Sequence, residues 1–221
     1  MFSNDTRKRL ENIVGGIILE AEEDTCTATR NILCASFRTS TTVKKDFEGK
    51  SIIKKEQAEL LRSCCEKKNW WVHNIPDDSQ FLARGGEAQI YLDSDNKSVI
   101  KLNDAVYYAT WLEFFNSLVI HNLLFKETAY TFLGFTEKNN SFQAVLKQPY
   151  ITSDAPVDLS AIKQLLAYNG FENTRRNDYY NKELGLILED IHDENVIASS
   201  NTLFFIDTVF YTVSANDYKL E

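Results

Sequence analysis

Asp190, Asn195 and Asp207 carry the strongest chemical content in this 221-residue sequence. They stand in the run Glu189-Asp190-Ile191-His192-Asp193-Glu194-Asn195-Val196-Ile197-Ala198, followed by Ser199-Ser200-Asn201 and then Leu203-Phe204-Phe205-Ile206-Asp207. Two short apolar runs around a polar turn predict a β-hairpin. Such a hairpin brings Asp207 back beside Asn195. Two oxygen ligands converging from its arms suit Mg²⁺, which takes one or two protein oxygens and completes its shell with water and substrate phosphates. Asp190 lies on the same rim, where a carboxylate can accept a hydroxyl proton.

Two further features could serve an anionic substrate. Gly85-Gly86 interrupts two strand-like runs in Arg84-Gly85-Gly86-Glu87-Ala88-Gln89-Ile90-Tyr91. A backbone without Cβ can curl so that its N–H groups face phosphate, although a plain hairpin turn uses the same residues. Lys101 stands in Ser98-Val99-Ile100-Lys101-Leu102, on the same face of a predicted strand as Val99. A lysine flanked by Val, Ile and Leu reads as a charge held at the edge of a pocket. The alternative is an edge-strand lysine that discourages aggregation.

The elements that must position these groups are legible in outline. Residues 1–75 read as mostly helical, with Asn4 or Asp5 capping a helix to Glu22, a polar stretch from Thr39 to Lys55, and a helix over Lys54 to Asn69 with apolar Ala58, Leu61 and Cys65. The connector Asn74-Ile-Pro-Asp-Asp78 predicts a boundary. Strands follow over Phe81 to Ala83, Ala88 to Asp93 and Val99 to Leu102, then a helix over Val106 to Phe125 and strands over Tyr130 to Phe135 and Phe142 to Tyr150. A helix over Leu159 to Asn169, a polar stretch, an apolar run over Leu184 to Leu188 and the final hairpin complete the chain. The fold class is α+β with an antiparallel sheet.

Composition removes several function classes. The chain has 24 basic and 32 acidic side chains, a net charge of −8 and a pI near 5.0. No basic stripe interleaved with aromatics offsets that charge, so nucleic acid is not an expected partner. The apolar stretch Ile13 to Leu19 is too short for a membrane span or a secretory signal, which predicts a cytoplasmic chain without a membrane partner. Cys26, Cys34, Cys64 and Cys65 lack zinc-knuckle spacing and read as reduced thiols.

Taken in order, a glycine turn, a strand lysine, a helix, two strands, Asp-x-x-x-x-Asn, a hairpin and a further Asp resemble the protein-kinase-like superfamily. The glycine turn is similar to that of RIO-type kinases, and Asp190-Ile-His192-Asp-Glu-Asn195-Val resembles the catalytic loop of aminoglycoside and choline phosphotransferases. As a whole the chain most resembles the bacterial polyvalent protein kinase family, also found as modules of large phage and mobile-element proteins. The resemblance implies residues 76–150 as a nucleotide-binding N-lobe with a five-stranded antiparallel sheet and a helix. Residues 151–221 would be a truncated C-lobe carrying the catalytic and metal-binding loops, and residues 1–75 a helical segment of unknown role.

By the same resemblance, Gly85, Gly86 and Glu87 would cover the phosphates of ATP, and Lys101 would pair with the α- and β-phosphates. Val99, Gln148 and Tyr150 would line the adenine site, with Glu113 as the helix carboxylate for Lys101. Asp190 would act on the acceptor hydroxyl, His192 would face the transferred group, and Asn195 and Asp207 would hold Mg²⁺. The expected partners are ATP and a hydroxyl acceptor, protein or small molecule, with a partner chain or fused domain able to supply substrate binding. The sequence departs from the family pattern at Leu188, where most kinases carry histidine, and at Thr208-Val209, where Phe-Gly would follow Asp207. Fourteen residues follow Asp207, which implies a reduced substrate-binding half. Three readings therefore compete: a phosphotransferase, acting on a protein or on a small molecule; a nucleotide-binding pseudokinase or interaction module; and an α+β scaffold whose Asp and Asn residues are turn and cap chemistry.

Overall fold

A computed structural model describes residues 2–21, 24–37, 47–86 and 88–213, with backbone only for 47–50. In chain order the elements are α1 (Asn4–Val14), α2 (Thr25–Phe37), α3 (Phe47–Lys68), β1 (Phe81–Arg84), β2 (Ala88–Leu92), β3 (Ser98–Asn103), α4 (Trp111–Leu124), β4 (Thr131–Lys138) and β5 (Ser141–Pro149). They continue with α5 (Leu159–Tyr168), β6 (Glu172–Arg175), β7 (Asp178–Asn181), β8 (Leu186–Glu189), β9 (Val196–Ser199), β10 (Thr202–Phe205) and β11 (Val209–Thr212). They form two compact units that are not consecutive along the chain: residues 20–115 with 129–150, and residues 1–19 with 116–128 and 151–221. The division passes through α4.

The first unit is built on a five-stranded antiparallel sheet in the order β1-β2-β3-β5-β4. The register puts Ile90, Lys101, Leu146 and Phe132 in one cross-strand row. Aromatic rings fill one side of the core, where Trp111 meets Phe114, Phe135 and Phe142, and Phe115 meets Phe132, edge to face at 5.2–5.6 Å. A second cluster joins Tyr91, Ile100, Leu102 and Val145, with Val72 and Ile75 packed on it. Gly134 is required where the chain after α3 crosses β4: its φ is +146°, and a Cβ would come within 2.1 Å of the Trp70 carbonyl oxygen. That close approach lets Phe135 N–H donate to Trp70 O and Val72 N–H donate to Phe135 O, each at 2.8 Å.

The second unit contains a four-stranded sheet in the order β11-β8-β7-β6 and the β9–β10 hairpin. Phe125 stacks on Phe205 at 4.4 Å, and Leu186, Leu188, Ile162 and Leu166 are buried. The hairpin pairs Val196 with Phe205 and Ser199 with Thr202, turning at Ser200 and Asn201, both left-handed. Asp154 Oδ2 accepts the Ser200 N–H at 2.8 Å and fixes that turn.

The first sheet and α5 follow the sequence expectation, and the second sheet does not. β6 and β7 lie in the polar stretch to which no element was assigned, and β11 returns to pair with β8. Neither strand alternates in burial: β6 is largely exposed, and β7 buries Tyr179, Tyr180 and Asn181 in succession. Helix α1 stops at Val14, not at Glu22, because Gly15 and left-handed Gly16 end it. Its N-cap is Ser3, whose hydroxyl accepts the Thr6 N–H. Helix α2 falls within the segment read as mostly helical, without having been delimited there; Asp24 Oδ1 caps it by accepting the Cys26 N–H at 3.0 Å. Helix α3 starts at Phe47, inside the polar stretch, of which residues 39–46 lie outside the described residues. Helix α4 begins at Trp111, five residues later than Val106, because Asn103 and Asp104 side chains accept the Ala105 and Val106 N–H groups and turn the chain aside. All four cysteines are free thiols, and burial pushes Cys65 up to about 12. Among the described residues no helix is long and apolar enough to cross a membrane.

Candidate functional site

In the first unit, Lys101 lies in the middle strand of the sheet and is 4% exposed. The edge-strand explanation is therefore removed, since β3 is paired on both sides by β2 and β5. Its ammonium stands 3.5 Å from the Tyr130 hydroxyl and 5.3 Å from the ring centroid of that tyrosine. A buried ammonium is costly unless it is hydrogen-bonded. Val99 and Gln148 are register partners on the same face of the sheet, and Gln148 is buried. Tyr150 is exposed, but its N–H already donates to Lys97 O at 2.8 Å, and Pro149 has none to offer. The carboxylate of Glu113 accepts the Ala109 N–H at 3.0 Å, at the start of α4.

The glycine pair is the turn of the β1–β2 hairpin, where Gly85 N–H donates to Ala88 O at 2.9 Å. Neither Gly85 nor Gly86 is among the residues with left-handed φ, so backbone freedom is not what selects glycine here. Gly86 lies against Tyr107: a Cβ there would come to 2.1 Å from the hydroxyl at the far end of that exposed side chain. Tyr107 was absent from the sequence expectation, and Glu87 lies outside the described residues.

In the second unit, four of the expected residues come together. Asp190 follows β8 with φ +61°, a left-handed conformation that Asp tolerates better than most residues. Asp178 Oδ1 accepts the Asp190 N–H at 3.1 Å, and Asn177 O accepts the Ile191 N–H at 2.9 Å, so the start of β7 holds this bend. Asn195 Nδ2 donates to Asp190 O at 2.7 Å and lies 3.4 Å from Asp190 Oδ2 and 3.2 Å from His192 Nε2. His192 Nε2 is 3.4 Å from Asp190 Oδ1. The hairpin brings Asp207 back as expected: Ile206 and Asp207 N–H groups both point to Asn195 O, at 3.0 and 3.4 Å. Burial first, then the charges of Asp178 and Asp190, raises the Glu189 carboxyl above its ordinary range.

A buried network holds the segment that carries Asp207. His121 is 0% exposed, with Nδ1 at 2.8 Å from Thr208 Oγ1 and Nε2 at 2.9 Å from Thr128 O. Ser117 Oγ accepts the Phe210 N–H at 2.9 Å, and Thr128 Oγ1 donates to Phe205 O at 2.6 Å. Polar Ser117 and His121, four residues apart and so on one face of α4, were the signal that could have disclosed this network.

The donor set fits a hard cation. Asn195 spends its amide nitrogen on the loop, which leaves Oδ1 for a metal, and Asp207 adds a carboxylate anchored through its backbone. No group of three or more His, Cys, Asp or Glu residues able to hold a metal occurs among the described residues. Two oxygen donors are what Mg²⁺ uses when water and phosphate fill the remaining positions. No curated protein matches the chain. The family model for serine/threonine/tyrosine kinases found in polyvalent proteins matches residues 54–214, and the chain, with its glycine hairpin, buried strand lysine and Asp-x-x-x-x-Asn loop closed by a hairpin, belongs to that family.

Proposed function

We propose that this kinase-family chain transfers the γ-phosphoryl group of ATP to a hydroxyl acceptor in a Mg²⁺-dependent reaction. The observation that carries the reading is the hydrogen-bonded set Asp190, His192 and Asn195, with Asp207 fastened to Asn195 by the hairpin. Residues 76–150 serve the nucleotide. The turn at Gly85, Gly86 and Glu87 covers the phosphates, Lys101 neutralises α- and β-phosphate oxygens, and Glu113 orients Lys101. Val99, Gln148 and Tyr150 line the adenine side. With the Tyr150 N–H committed to Lys97, that residue contributes its ring or carbonyl.

Residues 151–221 carry the transfer. Asn195 Oδ1 and the Asp207 carboxylate hold the metal, which when bound neutralises charge on the β- and γ-phosphate oxygens. Asp190 takes the acceptor's hydroxyl proton as the new O–P bond forms. The bond from the γ-phosphorus to the bridging oxygen breaks, and its electron pair leaves on ADP. His192, within 3.4 Å of Asp190 Oδ1, fixes the direction of that carboxylate.

The test is radiolabelled γ-phosphate transfer in cell lysate, comparing wild type with Asp190→Asn. Transfer by wild type and its loss in the variant, with Mg·ATP binding retained in both, supports the reading. Equal transfer in both sinks the assignment of Asp190. A second reading, nucleotide binding without transfer, is favoured by buried Leu188 in place of the usual histidine. It predicts Mg·ATP binding with no labelled product, whether the acceptor offered is protein or small molecule.

A further inference from the structure

Helix α3 places Lys54, Gln57, Leu61 and Cys65 on one face by their spacing of three, four and four. Leu61 and Cys65 are buried, as a core face requires, and Gln57 is only 1% exposed. A buried amide on such a face demands a partner. Gln57 Oε1 accepts the Leu112 N–H at 3.1 Å, one of the first-turn donors of α4 that has no intrahelical acceptor. One turn earlier, Lys54 Nζ donates to Ala105 O at 2.6 Å and to Tyr108 O at 2.9 Å. The loop between β3 and α4 is thus gripped by one ammonium at two carbonyls. It needs gripping, because Ala105 is left-handed at φ +56° without being glycine.

Between those two carbonyls stands Tyr107, the residue whose hydroxyl lies against Gly86. A continuous physical path therefore runs from Lys54 through the loop to Tyr107 and on to the glycine turn. We propose that Lys54 and Tyr107 are positioning residues for the nucleotide phosphates: Lys54 clamps the loop, the loop presents Tyr107, and Tyr107 sets the conformation of the turn at Gly86. The inference rests on the reading of that turn as the phosphate cover. It gives α3, within the segment whose role the sequence left open, a part in nucleotide binding.

The test uses the full chain, with Mg·ATP affinity measured by isothermal titration and the melting temperature measured without nucleotide. Lys54→Met and Tyr107→Ala should each weaken Mg·ATP about five- to tenfold, the size expected for lost positioning hydrogen bonds and contacts. Lys54→Arg should recover most of the affinity, since a guanidinium can still donate to two carbonyls. If the two residues act along one path, the double variant binds no more weakly than the worse single variant. Tyr107 is 57% exposed, so Tyr107→Ala keeps the test decisive if Lys54→Met does not fold. A lowered melting temperature with unchanged affinity, or effects that multiply in the double variant, overturns the proposal. Lys101→Ala runs in parallel. Lost binding there, with wild-type affinity in Lys54→Met and Tyr107→Ala, overturns the positioning role alone; unchanged binding in Lys101→Ala overturns the nucleotide reading itself.

Discussion

Lys101 and Asn195 are held in place by different physics. Lys101 has Ile90 and Leu146 as register partners and the hydroxyl of Tyr130 nearby, so its setting comes from segments tens of residues apart. Asn195 bonds to Asp190 and approaches His192, and its carbonyl receives the N–H groups of Ile206 and Asp207. One group belongs to a sheet that exists only after long-range pairing. The other belongs to a loop and a hairpin whose mutual hydrogen bonds close within eighteen residues, on a frame supplied by Asn177, Asp178 and the His121 network. A site assembled locally should lose its chemistry to single changes without losing its fold, whereas a site assembled by a sheet should couple the two.

The sharpest way to break that contrast is Asp190→Asn. Asparagine tolerates the left-handed φ of +61° and keeps the shape of the side chain. Transfer should fall by about 10²- to 10⁴-fold, as expected for a lost general base, and the melting temperature should stay near wild type. A large drop in stability would show that the loop is not locally self-sufficient.

In the first unit the corresponding variant is Lys101→Met. It should weaken Mg·ATP binding about tenfold or more, a loss expected for a desolvated charge-assisted contact. Unlike Asp190→Asn, it should also move the melting temperature, because the ammonium is buried in the sheet beside Tyr130. An unchanged melting temperature would remove the distinction between the two regions. Gly134→Ala tests the sheet itself. With φ at +146° and a Cβ placed 2.1 Å from Trp70 O, the backbone must shift, and unfolding stability should fall by about 3 kcal/mol in a denaturant titration.

The smallest expected effect is a pH dependence at the edge of the local site. The raised Glu189 carboxyl binds its proton more tightly in the folded than in the unfolded chain. Stability attributable to it is therefore fully present below the ordinary glutamate range and is lost as pH rises through the elevated folded value. Glu189→Gln should raise the melting temperature at pH 7, and the gain should vanish below about pH 4. A gain of the same size at both pH values would show that the half-buried charge is not its source.

The unequal legibility of the two units has the same origin. The hairpin was readable because its chemistry and geometry occupy one continuous stretch: Val196 to Ala198 and Leu203 to Ile206 are short apolar runs on either side of a polar turn. The first sheet was readable because β-branched and aromatic residues in β2, β3 and β5 leave few alternatives. The pair β6–β7 was not, since its buried residues are Tyr179, Tyr180 and Asn181 among Asn, Arg and Asp. The start of α4 was misplaced because side chains of Asn103 and Asp104 redirect the chain, and composition alone does not distinguish that turn from a helical start.

The sequence by itself determined the identity and order of the reactive groups: a glycine turn, Lys101, Asp190, Asn195 and Asp207. Residue types and short spacings are local properties. The tertiary structure decided which side chains support them. It made Lys101 an interior residue of a central strand, gave the Asp207 segment its anchor in His121, Ser117 and Thr128, and set the Tyr107 hydroxyl against Gly86. Those assignments depend on contacts across wide sequence separations. Close packing around buried polar groups specifies such contacts, and no spacing rule encodes them.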